Sequence, residues 1–133
     1  MGFYLHDVSE FPFVALRSDH CLPGYAEQWG KEMDALLDSN RLFVVAFEPG
    51  TLNETDEDFR TRGIWFKKHR HLLPGRCAAM IAIVPSAEER AANADDMAKR
   101  SRGFNVLYTA MASFEAAEQV TAELISDIKS WVS

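Results

Sequence analysis

Cys21 is the residue of this sequence with the clearest potential for covalent chemistry. It follows His20, and it lies where a predicted strand ends and a helix begins. A neighbouring imidazole and a helix N-terminus can both lower the pKa of a thiol and make it nucleophilic. Neighbouring residues of an extended chain point to opposite sides, however, so His20 need not reach the sulfur. A small enzyme that uses Cys21 and His20 is therefore the alternative hypothesis for function, and a cysteine without a chemical role is the simpler interpretation.

The stretch "WFKKHRHLLPGR", residues 65–76, is the densest group of cationic and imidazole side chains in the sequence. Such a group could bind a phosphate, a nucleic acid or a metal ion. His69 and His71 are two residues apart, so on a helix they diverge by about 200°. A helical zinc pair requires two histidines four residues apart, a spacing that occurs nowhere in the sequence. We therefore predict no metal site, and no residue pattern indicates a cofactor.

The same stretch has a structural explanation as the end of a helix. Residues 54–58, "ETDED", hold four carboxylates, whereas residues 60–76 hold six lysines and arginines and no acid. Acid at the start and base at the end is the arrangement that the helix macrodipole favours. His69 falls within the apolar arc between Trp65 and Leu73, which predicts a packed, hydrogen-bonded histidine. A charge-polarised helix end is the favoured interpretation, and docking of an acidic partner stays open.

Polar residues follow the predicted strands at the carboxyl edge of the sheet, which is where open α/β sheets bind ligands. Helix N-termini converge on the same edge, and their free N–H groups favour a carboxylate or a phosphate. On the second helix, an exposed Ile64 beside Lys68 would suit a docking patch, although a single surface aliphatic residue needs no explanation. The predicted ligand- or partner-binding residues are Asp19, Glu48, Thr55, Ile64, Trp65, Lys68 and Ser86.

The composition is that of an ordinary globular protein. With 133 residues, of which 47% are hydrophobic and 26% charged, the chain is predicted to form one domain over residues 1–133. A net charge of −6 opposes binding to polyanions, so no nucleic-acid partner is expected. No apolar run reaches the roughly 20 residues that cross a bilayer, and the start does not resemble a secretory signal. Cys21 and Cys77 make a poor disulfide framework, which favours a reducing cytoplasm.

Two periodicities alternate along the chain and predict an α/β fold. Strands are predicted at 2–8, 11–19, 41–48, 77–85 and 104–112, and helices at 22–40, 55–73, 86–103 and 114–132. The order is ββαβαβαβα. The strands at 41–48 and 77–85 are almost continuously apolar, as in a parallel sheet covered on both faces. A mostly parallel central sheet, with an antiparallel N-terminal edge hairpin and helices packed against it, is the expected architecture.

Local signals place the helix ends. Pro23 suits the first turn of the first helix. Ser86 and Glu89 have the spacing of a capping box, and Gly103 follows a basic last turn as a stop signal. Thr55 begins the second helix and is expected to cap it.

Several stretches together resemble one known family. The polar turn "RSDH" precedes the helix "YAEQWGKEMDALLDS", and the strand "RLFVVAFE" precedes the aromatic-rich helix "FRTRGIWFKKHRHL". The end, "YTAMASFEAAEQVTAEL", has a small capping residue followed by a Phe-x-x-Ala helix. These features resemble the STAS domain of bacterial anti-sigma-factor antagonists, and in particular the small sporulation-stage-II AA-like proteins. The resemblance covers most of the chain.

The resemblance implies a domain that docks a protein partner or holds a small, often apolar, ligand. In the antagonists a phosphorylatable serine lies where the second helix begins. The matching stretch here, "EPGTLNETDED", holds no serine, and its hydroxyls are Thr51 and Thr55. Thr55 begins an acidic first turn that would repel an added phosphate, so a phospho-switch is not expected.

The leading hypothesis for function is a non-enzymatic STAS-like regulatory or ligand-binding domain. A hydrophobic cleft between the sheet and the second or third helix would hold a small lipid-like or anionic molecule, or the helix of a protein partner. An anion or nucleic-acid binder that uses residues 60–76 is a third hypothesis, and a homodimer is left open.

Overall fold

The computed structural model describes residues 3–50 and 53–132, with side chains described up to residue 129. The strands are β1 (His6–Asp7), β2 (Phe13–Leu16), β3 (Phe43–Phe47), β4 (Cys77–Ile83) and β5 (Tyr108–Met111). The helices are α1 (Ala26–Asp38), α2 (Asp56–His69), α3 (Ala87–Ala92), α4 (Ala94–Phe104) and α5 (Phe114–Val132). Short 3-10 turns lie at Ser18–His20 and Leu73–Gly75. Thr51, one of the two hydroxyls in the stretch "EPGTLNETDED", lies outside the described residues.

The five strands form one sheet in the order β1-β2-β3-β4-β5. β1 and β2 pair antiparallel, with His6 opposite Leu16, and every later pair is parallel. The predicted α/β architecture, a parallel sheet with an antiparallel edge hairpin, is thereby confirmed.

The two faces of the sheet pack against different layers. On one face α5 covers the strands, and Val44, Ala46 and Ile81 belong to the apolar cluster between them. On the other face the core cluster joins Val45 and Met80 to side chains of α1 and α2. Successive residues of a strand point to opposite faces, so the apolar run in β3 serves both layers.

Asp58 joins the first turns of α1 and α2. Thr55 and Asp58 form a capping box at the start of α2, which confirms Thr55 as a helix cap. The same Asp58 carboxylate accepts hydrogen bonds from the backbone N–H groups of Gly24 (2.8 Å) and Ala26 (3.2 Å) before and at the start of α1. Burial alone would raise the pKa of Asp58, but these hydrogen bonds outweigh it and lower that pKa. One side chain therefore fixes two helix ends against each other.

Four predictions about the limits of helices and strands were wrong. The first helix begins at Ala26, not at residue 22, because Gly24 takes a left-handed φ of 92° that a helix cannot contain. The predicted helix 86–103 is two helices that meet at Asn93, which leaves the helical region with φ −97° and ψ 1°. Gly103 does not stop the second of them. Asn105 ends this helix, because it adopts a left-handed φ of 60°. β5 then begins at Tyr108 instead of residue 104.

The last helix, α5, has the predicted bounds, and the remaining elements are shorter than predicted but lie where they were expected. Ser86 caps α3 by accepting a hydrogen bond from the Glu89 N–H at 3.2 Å. Pro12 lies just before β2, where its missing N–H costs the sheet no hydrogen bond. Among the helices of the described chain, none has both the length and the apolar character needed to span a membrane.

Candidate functional site

A cleft of about 390 Å³ lies between the sheet and the helices α2 and α4. Leu16, Val45 and Met80 contribute aliphatic side chains from the sheet to its wall. Half of the other lining residues are aromatic, and they are Trp29, Phe47, Phe59, Phe66, Phe104 and Tyr108. A concave, mainly apolar site within the range of about 300–1,000 Å³ is typical of small-molecule pockets.

Five of the six rings of the cleft contact one another in a continuous row. Trp29 and Phe66 lie 5.4 Å apart between ring centroids, and Phe66 and Phe104 lie 4.6 Å apart. Phe104 then contacts Tyr108, which contacts Phe47 at 5.7 Å. Ring pairs at such distances stabilise each other beyond their buried area, so the wall is held in place before any ligand arrives.

One end of the cleft holds an ion pair. Arg62 donates from Nε (3.2 Å) and Nη2 (2.8 and 2.9 Å) to the carboxylate of Glu54. Both side chains are 23% exposed, so the pair lies at the boundary between the cleft and solvent. Tyr25 donates its hydroxyl to the same carboxylate at 2.7 Å. Burial and this bond to Glu54 raise the pKa of Tyr25, which keeps the phenol protonated as a donor.

A second guanidinium in the cleft wall comes from α4. Arg100 on α4 donates from Nη1 to the hydroxyl oxygen of Tyr108 at 3.3 Å. Its guanidinium carbon also lies 5.5 Å from the centroid of the Tyr108 ring, a cation–π contact. Burial raises the pKa of Tyr108 despite the opposing effect of Arg100, so this phenol also stays protonated.

The residues predicted at the carboxyl edge of the sheet are only partly brought together. Glu48 accepts a hydrogen bond from the Ser18 hydroxyl at 3.2 Å, so the loops after β2 and β3 touch. Asp19 is exposed and lies 3.8 Å from His20, whereas Ser86 caps α3. None of Asp19, Glu48 and Ser86 lines the cleft.

The predicted residues of the second helix also lie away from the cleft wall. Ile64 is 66% exposed, as expected, and Lys68 is exposed beside it. Trp65 is buried and donates its indole N–H to Asp34 at 2.9 Å, which ties α2 to α1. Thr55 caps α2. The cleft-facing residues are instead Phe59, Arg62, Gly63 and Phe66.

These missed residues follow the spacing of one helical face. Phe59, Arg62, Gly63 and Phe66 lie at i, i+3, i+4 and i+7 of α2. That spacing marks a common face, but an arginine and a glycine interrupt its apolar character. The helical spacing of these four residues was therefore visible in the sequence, but the prediction followed the more conspicuous basic residues after them.

Cys21 is surrounded by features that oppose its use as a nucleophile. Its side chain is buried and donates from Sγ to the Arg17 carbonyl at 3.4 Å. Burial and the nearby Glu32 raise its pKa to about 11, so the thiolate is scarce near neutral pH. His20 donates from Nδ1 to the Tyr4 carbonyl at 2.9 Å and stacks on the Tyr4 ring. This geometry disfavours the thiol-enzyme hypothesis.

Two arginines of the basic stretch at residues 65–76 donate to carbonyl groups at helix ends. Arg70 donates from Nε to the Gly103 carbonyl at 3.0 Å, at the end of α4. Arg76 donates to the Leu37 carbonyl at 2.7 Å, at the end of α1. His69 is packed and hydrogen-bonded, as predicted, because Nδ1 donates to the Trp65 carbonyl and its ring stacks on Trp65 at 4.2 Å. Guanidinium groups at helix C-termini satisfy free carbonyls and suit the helix dipole.

The side chains of the cleft are suited to binding a ligand. Aromatic walls can enclose an apolar body, and guanidinium and phenol groups can donate to an acceptor. Across residues 3–50 and 53–132, no three or more His, Cys, Asp or Glu side chains are grouped so that they could hold a metal ion. In comparisons with known proteins, no family model, curated protein or solved structure matches the chain.

Proposed function

We propose that this protein is a non-enzymatic, STAS-like ligand-binding domain that holds a small, mainly apolar molecule in the cleft between the sheet and helices α2 and α4. The observation that supports this proposal is the cleft itself, with a volume of about 390 Å³ and six aromatic residues in its wall. That volume suits a small molecule, whereas a partner helix about 10 Å across would need a long open groove. The observed order of strands and helices is consistent with the domain type.

Gly63 offers a direct test, because it lines the cleft from α2. A Cβ added there would meet no atom within 4 Å, and the backbone is helical. Gly63→Leu should therefore project a side chain into the cleft without straining the helix, and the higher helix propensity of leucine should add stability.

The experiment is a titration with a neutral fluorescent probe, N-phenyl-naphthylamine, followed by its emission. The wild-type chain should bind it, and Gly63→Leu should weaken binding at least about tenfold because the added side chain fills apolar space. Gly103→Leu is the matched control, since Gly103 is also a helical glycine with open space around it but does not line the cleft. The absence of probe binding to the wild-type chain, or equal loss in both variants, would overturn the proposal.

A further inference from the structure

The charged residues in the described wall of the cleft are Glu54, Arg62 and Arg100. Two arginines and one glutamate leave this wall with one net positive charge, although the whole chain carries −6. A local charge of the opposite sign to the rest of the molecule attracts a ligand of complementary charge to that place.

The two arginines differ in what already binds them. Arg62 donates from Nε and Nη2 to Glu54. The edge of its guanidinium that can form two hydrogen bonds to one carboxylate is therefore already occupied. Arg100 forms no ion pair with a carboxylate in residues 3–50 and 53–132. Its one hydrogen bond in that part of the chain runs from Nη1 to Tyr108, which leaves Nε and Nη2 available.

Tyr108 completes a pair of donors. Its hydroxyl oxygen accepts from Arg100, so its own proton is free to be donated to a ligand. The ring contact holds the guanidinium against Tyr108, so less side-chain freedom is lost when an anion binds. Arginine forks match the two oxygens of a carboxylate or phosphate group.

We propose that the cleft selects amphiphiles that carry one carboxylate, with the apolar body among the aromatic rings and the carboxylate on Arg100 and Tyr108. This inference rests on the proposed function and names its ligand class. One net positive charge matches a carboxylate better than a phosphate monoester, which carries about −1.5 to −2 at neutral pH. Glu54 acts as an internal carboxylate that keeps Arg62 neutralised, so the ligand is directed to Arg100.

The test is displacement of N-phenyl-naphthylamine by decanoate and by decanol, both below the concentrations at which they aggregate. The two ligands share an apolar chain and differ in charge. The wild-type chain should bind decanoate about tenfold more tightly than decanol, because only the carboxylate gains charge-assisted hydrogen bonds. That preference should shrink when salt is raised from about 50 to about 500 mM, since screening weakens partly exposed charge pairs.

Arg100→Gln should abolish the preference for decanoate while it leaves decanol affinity within about twofold. Arg102→Gln is the matched control, because it removes the same charge from the same helix and Arg102 does not line the cleft. Glu54→Gln provides a gain-of-affinity test. It should release Arg62 and strengthen decanoate binding about threefold to tenfold, with no gain for decanol.

The outcomes separate the two proposals. If the probe itself does not bind, the proposed function fails. If the probe binds but neither ligand displaces it, the carboxylate inference is overturned while the cleft remains a binding site. If both ligands bind equally and Arg100→Gln changes neither, the carboxylate inference is overturned while the cleft remains a binding site. Equal losses from Arg100→Gln and Arg102→Gln would also overturn it, because the effect would then be one of overall charge.

Discussion

Two pairs of a glutamate with a cationic or imidazole partner occupy contrasting positions in this molecule. Glu32 of α1 and His6 of β1 lie 2.8 Å apart with both side chains fully buried. Glu54 and Arg62 also lie 2.8 Å apart, but each is 23% exposed beside the cleft. The two pairs have the same contact distance but differ in burial and in their other hydrogen-bond partners. We infer different roles for them from those differences.

The buried pair is fixed by backbone groups. Besides His6, the Glu32 carboxylate accepts hydrogen bonds from the N–H groups of Tyr4, Leu5 and His6 and from Gln28. It thereby holds the two-residue edge strand β1 against α1. An ionised carboxylate only accepts, so the proton of this contact is on His6 Nδ1. Nε2 of the same ring is buried and has no hydrogen-bond partner within the described chain.

The exposed pair has fewer constraints. Glu54 is bound by two side chains, Arg62 and Tyr25, and solvent reaches both ions. Exposed ion pairs contribute about 0–1 kcal/mol to stability, whereas removing one member of a buried pair costs about 3–5 kcal/mol. The comparison predicts that Glu32 maintains the fold and that Glu54 controls what the cleft binds.

Replacing Glu32 should have the largest effect. Glu32→Ala leaves the His6 imidazole and the backbone N–H groups of Leu5 and His6 buried without an acceptor, so it should lower the free energy of unfolding by about 3–5 kcal/mol. Urea denaturation followed by tryptophan fluorescence measures the change. Glu27→Ala is the control on the same helix: Glu27 is 84% exposed and its contact with Lys31 is 4.0 Å, so a loss below about 0.5 kcal/mol is expected. Similar losses from both variants would contradict the structural role of Glu32.

The pH dependence of stability gives a second test of the structural role of Glu32. Burial alone would raise the pKa of Glu32, but hydrogen bonds from His6, Gln28 and backbone N–H groups lower it from 4.5 to about 2. A pKa lowered by folding contributes stability that is complete above pH 4.5 and is lost as the pH falls towards about 2. The loss attributable to this group should be about 3 kcal/mol.

The variant Glu32→Gln isolates that contribution, because it cannot titrate. Unfolding free energies of both chains at about pH 5.5 and about pH 3 should show a steeper decline for the wild type. Parallel declines would mean that other carboxylates, such as Asp7 and Asp58, account for the acid sensitivity.

Local patterns in the sequence were sufficient to predict much of the fold. The order of strands and helices follows from hydrophobic periodicity, and Thr55 was identified as a cap from its position alone. The exposure of Ile64 follows from its place on the helical wheel. These features depend on residues within one or two turns of each other, which is the range that a sequence pattern encodes directly.

Long-range contacts were not predictable in the same way. Asp58 caps α1 from 32 residues away, and Glu32 reaches a strand 26 residues earlier. Arg100 enters the cleft only because α4 packs against β5, which brings it to Tyr108. Asn93 interrupts a helix at a cost of only a few tenths of a kcal/mol in propensity, too weak a signal to locate the break. Apart from the four residues on α2, the cleft residues therefore required the tertiary arrangement.

Asp58 tests whether a buried carboxylate without an imidazole partner behaves like Glu32. Asp58→Ala removes one cap from α2 and the acceptor for Gly24 and Ala26 at the start of α1. We expect a loss of about 2 kcal/mol, since each helix cap is worth about 1 kcal/mol. Glu57→Ala, in the same first turn but exposed, should cost about 0.5 kcal/mol or less through the helix dipole alone. Comparable losses from the two variants would show that charge near the helix end matters more than the shared cap.

Glu54→Gln should have the smallest effect on stability. Glutamine can still accept the Tyr25 hydroxyl through its amide oxygen, and Arg62 is exposed enough to be solvated by water when its partner loses its charge. The free energy of unfolding should therefore change by less than about 1 kcal/mol, measured in urea as for Glu32. A loss of about 3 kcal/mol or more would place Glu54 in the same structural class as Glu32 and end the distinction between the pairs. A small loss together with tighter decanoate binding would show that the exposed pair limits the affinity of the cleft for anions, a role that the buried pair cannot have because no solvent or ligand reaches it.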